Sequence, residues 1–265
     1  MTDVAVEIDE KRFTGSEVVA LRDLKFAVRS GEFIAIVGPS GAGKTTILNV
    51  VGGLDDIYEG TVQINDHTLR PGHHPVQVGY MFQEPRLMPW LNVEQNIELV
   101  LHDEASHDRV RPLLDQVGLE ARGLDFPNRL SGGMQRRVAL ARAVVVRPDL
   151  LLMDEPFVSL DEPTAQRLRE MLLTLWRDEH PTVLFVTHNL REGIALADRV
   201  LFLSHSPGKV IHELSVKLPR PRKLSDPSID SVYQSLLADH PEILSGMLDT
   251  DQTDAEQRMK DREAM

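Results

Sequence analysis

Residues 33–46 read "FIAIVGPSGAGKTT", and the fold turns on this stretch. Its opening run "FIAIV" is wholly apolar, which suits a strand covered on both faces and not one with a solvated side. The continuation "GPSGAGKTT" (38–46) matches G-x-x-x-x-G-K-[ST] and leads straight into a helical pattern beginning near Lys44. A strand before and a helix after make this a phosphate-binding loop, where the alternative would be a glycine-rich turn with a solvated lysine. Gly38, Gly41 and Gly43 let the backbone curl so that its amides face a polyphosphate. Lys44 brings a point charge to the β and γ phosphates and Thr45 a hydroxyl for Mg²⁺. Pro39, Ser40, Ala42 and Thr46 complete the loop.

Outward from the loop, strands and helices alternate. Upstream, "VAVEI" (4–8) and "LKFAVRS" (24–30) read as β, as do "TVQIN" (61–65) and "VGYMF" (78–82) downstream. From about 84 to 128 the apolar spacing changes to three and four, as in "VEQNIELVLHDE" and "DRVRPLLDQVGL", and predicts helix. A helix after "LSGG", the strand "LLLMD" (150–154) and a helix over about 162–178 follow. The strand "TVLFVTH" (182–188), a short helix (190–197) and the strand "RVLFL" (199–203) end the alternation. The pattern predicts an α/β fold: a largely parallel sheet covered on both faces, an antiparallel β region at the N-terminal end, and a helical lobe inserted at about 84–146. Residues 221–265 read as a polar extension, helical around "SVYQSLLADH" and frayed over the last 15 or so residues.

Further polar groups fall where such a sheet binds ligands. "LLLMDEP" (150–156) puts Asp154 and Glu155 at the carboxyl end of a strand. Asp154 would hold Mg²⁺ through its water shell, and Glu155 would orient or deprotonate an attacking water. A helix cap beside a solvated acid is the other reading, and the phosphate loop favours the catalytic one. His188 ends "TVLFVTH" on the same edge and is expected to touch a γ-phosphate. The other nine histidines, among them the His73–His74 pair, read as surface residues. "LSGGMQRR" (130–137) starts a helix with two glycines, although glycine inside a helix costs about 1 kcal/mol against alanine. Either the amides there must come close to an anion, or Ser131 is an ordinary N-cap with a flexible approach.

Composition narrows the class. The chain has 265 residues and no cysteine, so disulfides and thiolate metal sites are excluded and a reducing cytosol is compatible. "MTDVAVEIDEKRF" lacks the basic start and apolar core of a signal peptide, and no apolar run approaches the roughly 18–20 residues of a membrane span. A net charge of −12 argues against broad binding to nucleic acid or anionic lipid. Membrane association would therefore need a protein partner.

Phosphate loop, "LSGG", "DE" and terminal histidine, in that order, resemble the ATP-binding-cassette (ABC) ATPases over about residues 4–215. The resemblance implies a P-loop NTPase whose ATPase domain spans about 1–220, with ATP and Mg²⁺ as ligands. It makes Gln83 the glutamine at the junction of core and lobe, touching Mg²⁺ and water, and matches "SLD" (159–161), with Asp161, to the D-loop. Phe13 looks like the aromatic that stacks on adenine, a core or edge aromatic being the alternative. It also answers the question of the two glycines: Ser131, Gly132, Gly133 and Gln135 would face the nucleotide held by a second subunit, Ser131 and Gly133 contacting its γ-phosphate. Two chains, head to tail, would close two sites for in-line attack by water.

Within the family, "MFQEPRLMPWLNVEQNI" (81–97), "MDEPFVSLD" and "THNLREGIALADRV" are similar to the nitrate, sulfonate, taurine and cyanate importers. That implies an energy-coupling subunit on the cytoplasmic face of the inner membrane, with permease subunits on separate chains and a periplasmic or lipid-anchored solute-binding protein. The surface around Arg86–Trp90 would receive a permease helix, unless Trp90 is a core residue of the lobe. A soluble ABC ATPase acting on nucleic acid or ribosomes usually carries paired cassettes, coiled coils or basic arms, and a noncatalytic cassette would lack Lys44, Glu155 or His188. Asn189 and Gly193 depart from the commoner aspartate and alanine of the family, which puts only fine geometry in question.

Overall fold

A computed structural model of the chain describes residues 2–246 apart from Ser16 and Ser159, without the side chains of Glu104 and Ala105. In chain order it has β1 (Val4–Arg12), β2 (Val19–Val28), β3 (Phe33–Val37), α1 (Lys44–Val51), β4 (Glu59–Ile64), β5 (His67–Thr68) and β6 (Val78–Met81). Next come α2 (Val93–Glu98), α3 (Val110–Gln116), α4 (Gly132–Val144), β7 (Leu150–Asp154), α5 (Glu162–Glu179), β8 (Thr182–Val186), α6 (Leu190–Leu196), β9 (Arg199–Leu203), β10 (Val210–Ser215) and α7 (Pro227–Asp239).

The large sheet has the order β10-β9-β3-β8-β7-β6, and β10 is its antiparallel member. A smaller antiparallel sheet, β2-β1-β4-β5, lies beside it. The apolar run of β3 is explained by period-two packing: Phe33, Ala35 and Val37 enter one core, Ile34 and Ile36 another. The first core joins the sheet to α4, α5, α6 and α7; the second joins it to α1 and to Val4, Val6 and Ile8 of β1. Ile229, Leu236 and Ile243 sit in the first core, so the described residues beyond 220 share it.

Between 84 and 128 the helices are shorter than the spacing predicts. Only α2 and α3 are α-helical there, with a 3₁₀ turn between them at Glu104–Arg109 and two more after α3 at Glu120–Arg122 and Pro127–Arg129. Gly118, at φ 65°, and Pro127 interrupt the periodicity. Asn92 and Gln95 still form a reciprocal capping box at the start of α2. Three histidines expected at the surface, His74, His212 and His240, are partly buried instead. The His74 ring bridges Val76 O and Val51 O, each at 3.1 Å, and His212 lies between the rings of Phe202 and His240. The frayed end expected for the last residues lies outside the described residues. No helix among the described residues is long and apolar enough to cross a membrane.

Candidate functional site

The carboxyl ends of β3, β7, β8 and β9 point to one edge of the sheet, where ligands of open α/β folds bind. The loop after β3 turns at Gly41 and Gly43, both with positive φ (81° and 84°), and Gly43 leads directly into α1. Lys44, only 9% exposed, reaches back over this loop and donates from Nζ to Gly38 O and Pro39 O, each at 2.9 Å. Burial pushes its pKa down, and Glu155 and Asp154 partly restore it. It is a buried cation held by neutral carbonyls, and a polyphosphate would neutralise it.

Asp154 closes β7 opposite the loop. Thr45 Oγ1 donates to its Oδ2 at 2.7 Å. Burial raises the Asp154 pKa, the Thr45 hydroxyl opposing the shift. Glu155 follows at φ 47°, a left-handed conformation that costs a non-glycine residue about 1–2 kcal/mol and that collects at functional sites. Its amide is tied to Val186 O at 2.9 Å, which fixes the turn.

These groups meet in one cavity of about 390 Å³, lined among others by Phe13, Gly41, Lys44, Thr45, Gln83 and Asp154. Ser40, Gly43, Thr46 and Glu155 line it too, and its size suits a nucleotide. Gly38, Pro39 and Ala42 lie behind it as the frame of the loop; Ala42 is fully buried. Phe13 is 48% exposed at the cavity's rim and is not a core aromatic. A single carboxylate bonded to a hydroxyl cannot hold Mg²⁺ alone, and no set of three acidic or histidine ligands exists among the described residues. The pair fits a Mg²⁺ that takes its other ligands from phosphates and water.

His188 stands apart from this cavity. It is 61% exposed, lines a neighbouring one of about 200 Å³, and meets Glu155 there, Nδ1 to Oε2 at 3.4 Å. Glu155 thus faces both cavities. Ser131, Gly132, Gly133, Gln135 and Asp161 line neither. Ser131 Oγ accepts from Met134 N at 3.3 Å as an N-cap, and Gln135 donates to Pro127 O at 2.9 Å. Asp161 caps α5 through Thr164 N at 3.0 Å, and Ser159 of the same loop lies outside the described residues. Trp90 is 70% exposed, so it is not a core residue of the lobe. Sequence reasoning missed Val18, Ala20 and Ser206 in the cavity wall. Ser206 follows the carboxyl end of β9, and that position was the available signal.

The ABC transporter family model matches residues 21–158. An aliphatic sulfonates import ATP-binding protein, SsuB, of Bacillus licheniformis is 39% identical over 239 residues, covering 88% of this chain and 92% of that protein. A second such protein, from Pseudomonas fluorescens, is 42% identical over 227 residues, 86% of this chain and 82% of the relative. Among solved structures, a dimeric post-hydrolysis state of an ATP-binding cassette bound to ADP and Pi superposes with a TM-score of 0.72 at 29% identity, over 83% of this chain and all (100%) of the other.

Proposed function

The chain belongs to the ABC transporter family and is an ATPase, and on that premise we propose that it is the energy-coupling subunit of a bacterial importer for a small anion of the sulfonate, taurine or nitrate class. The meeting of Lys44 and Thr45 from the loop after β3 with Asp154 and Glu155 from the end of β7 carries this reading. The similarity to sulfonate import subunits supports the solute class.

In this reading Phe13 stacks on adenine, the loop amides and Lys44 bind the β and γ phosphates, and Glu155 takes the proton of the attacking water. Thr45, Gln83 and, through water, Asp154 would hold Mg²⁺, which supplies charge neutralisation at the phosphates. His188 contacts the γ-phosphate once a nucleotide spans the two neighbouring cavities. Ser131, Gly132, Gly133 and Gln135 act on the nucleotide of a second copy, and Asp161 belongs to that interface. The homodimer works under permease subunits at the cytoplasmic face of the cell membrane, fed by a solute-binding protein. Residues 1–220, with the lobe at about 84–146, form the ATPase domain, and 221–265 extend it.

The test is Glu155→Gln. It should keep ATP binding, slow turnover by orders of magnitude and accumulate an ATP-bound dimer; normal hydrolysis would remove Glu155 from the chemistry. With its permease in proteoliposomes, ATPase activity should rise on adding an alkanesulfonate with the binding protein. A rise with sugars alone would overturn the solute class.

A further inference from the structure

Lys11 is a lysine with 2% of its surface exposed, in the antiparallel sheet and outside the phosphate machinery. Burying an ammonium is costly unless every donor is used. Here Nζ donates to Asp55 Oδ1 and to Ile57 O, each at 2.7 Å, and lies over the ring of Phe13, 5.0 Å from its centroid. An apolar side chain would fill the same space at lower cost, so the cation's contact with Phe13 calls for an explanation.

The pairing of β1 with β2 supplies one. Its register slips between Lys11 and Arg12, a bulge that re-aims the side chains beyond it. Just past the bulge, Phe13 stands at the rim of the nucleotide cavity, about half exposed. An exposed aromatic on a strand end would otherwise sample several rotamers, and a base would have to immobilise it. Nζ holds one face of the ring, so a base can only take the other. The same Nζ is anchored to Asp55 just beyond the end of α1, where Asp55 N donates to Asn49 O at 3.2 Å. The aromatic platform is thereby tied to the helix that begins at Lys44.

We propose that Lys11 is a positioning residue for the nucleobase: its buried ammonium presets the Phe13 ring, and binds it to the phosphate-loop helix, before ATP arrives. This rests on the reading of Phe13 as the adenine platform, and the experiment separates the two. Affinities of the purified full chain for Mg–ATP and for Mg–tripolyphosphate, which has no base, are measured by calorimetry for wild type, Lys11→Met, Phe13→Ala and the double variant. Lys11→Met should weaken ATP about three- to tenfold and leave tripolyphosphate unchanged. In the Phe13→Ala background it should do nothing further. If Phe13→Ala weakens ATP while Lys11→Met does not, or if Lys11→Met weakens both ligands in parallel, the proposal fails and the adenine reading survives. If Phe13→Ala itself leaves ATP affinity intact, both fall. Should Lys11→Met not fold, because Asp55 loses its cation, Lys11→Met/Asp55→Asn removes both charges and is judged by the same ratio of ATP to tripolyphosphate affinity.

Discussion

Gly43 shows how closely backbone geometry and binding are joined at a single residue. At φ 84° it precedes α1, and a Cβ there would lie 2.5 Å from Leu21 Cδ2 and 3.2 Å from Ala20 O. Gly43→Ala should cost about 1–2 kcal/mol of stability and at least about tenfold in ATP affinity, since the loop amides must turn away to make room. Calorimetric titration with ATP checks this, and unchanged affinity would contradict it. Gly43 was legible in the sequence because the spacing of the loop motif is local. Ser206 and Val18 were not. They reach the cavity through contacts across the chain, Gly208 N to Ala20 O at 2.9 Å and Ser206 Oγ to Val19 O at 3.1 Å, and no short pattern records these.

Helix α6 illustrates how an element holds a residue that it does not contain. Asn189, the departure from the family's aspartate, caps it by accepting from Arg191 N at 3.1 Å and Glu192 N at 3.4 Å, so the amide serves the same capping role. Gly193, the other departure, lets α6 lie close on the sheet; a Cβ there would sit 3.3 Å from that of Ala35. One turn in, Glu192 accepts from Arg169 of α5 and from Thr187, each at 2.9 Å, and Thr187 Oγ1 accepts from Asn189 N at 3.0 Å. His188 is therefore framed on both sides by one hydrogen-bonded network, buried at Thr187 and exposed at Asn189. Glu192→Ala strips Arg169, 4% exposed, of a buried partner and should cost about 3 kcal/mol in urea unfolding; a loss under about 0.5 kcal/mol would mean that solvent or Glu162 replaces it. The strands "LLLMD" and "RVLFL" were readable to the residue because each is an apolar run of four bounded by one charged residue, Asp154 or Arg199. β10 was not. It is an edge strand with no fully buried residue, so its sequence carries no alternation strong enough to read.

Across the described residues, two cores share one sheet and α7 closes one of them. Near that closure the rings of His212 and His240 stand 4.5 Å apart. Burial first, then the His240 charge, lowers the His212 pKa below its ordinary 6.5, against a smaller opposing pull from Glu213. The folded chain thus binds that proton less readily than the unfolded one. Its contribution to stability is complete above the ordinary value and is lost as pH falls through 6.5 and lower. Between about pH 7 and 5, wild type should lose more stability than His212→Gln; equal slopes in urea unfolding would contradict this. At the same scale, the phosphate loop lines the nucleotide cavity of one chain and the "LSGG" helix does not, and in the proposed function the two meet only between two copies. That claim is tested most directly by mixing Lys44→Ala with Gly132→Asp. Position 132 has open space around a Cβ, so the aspartate harms no packing within its own chain but would repel a partner's phosphate. Each variant alone should be inactive, and a random mixture should regain about a quarter of wild-type hydrolysis, since half the dimers then hold one intact site. Activity that stays at the level of the separate variants, or a Gly132→Asp chain that hydrolyses ATP normally, would contradict it.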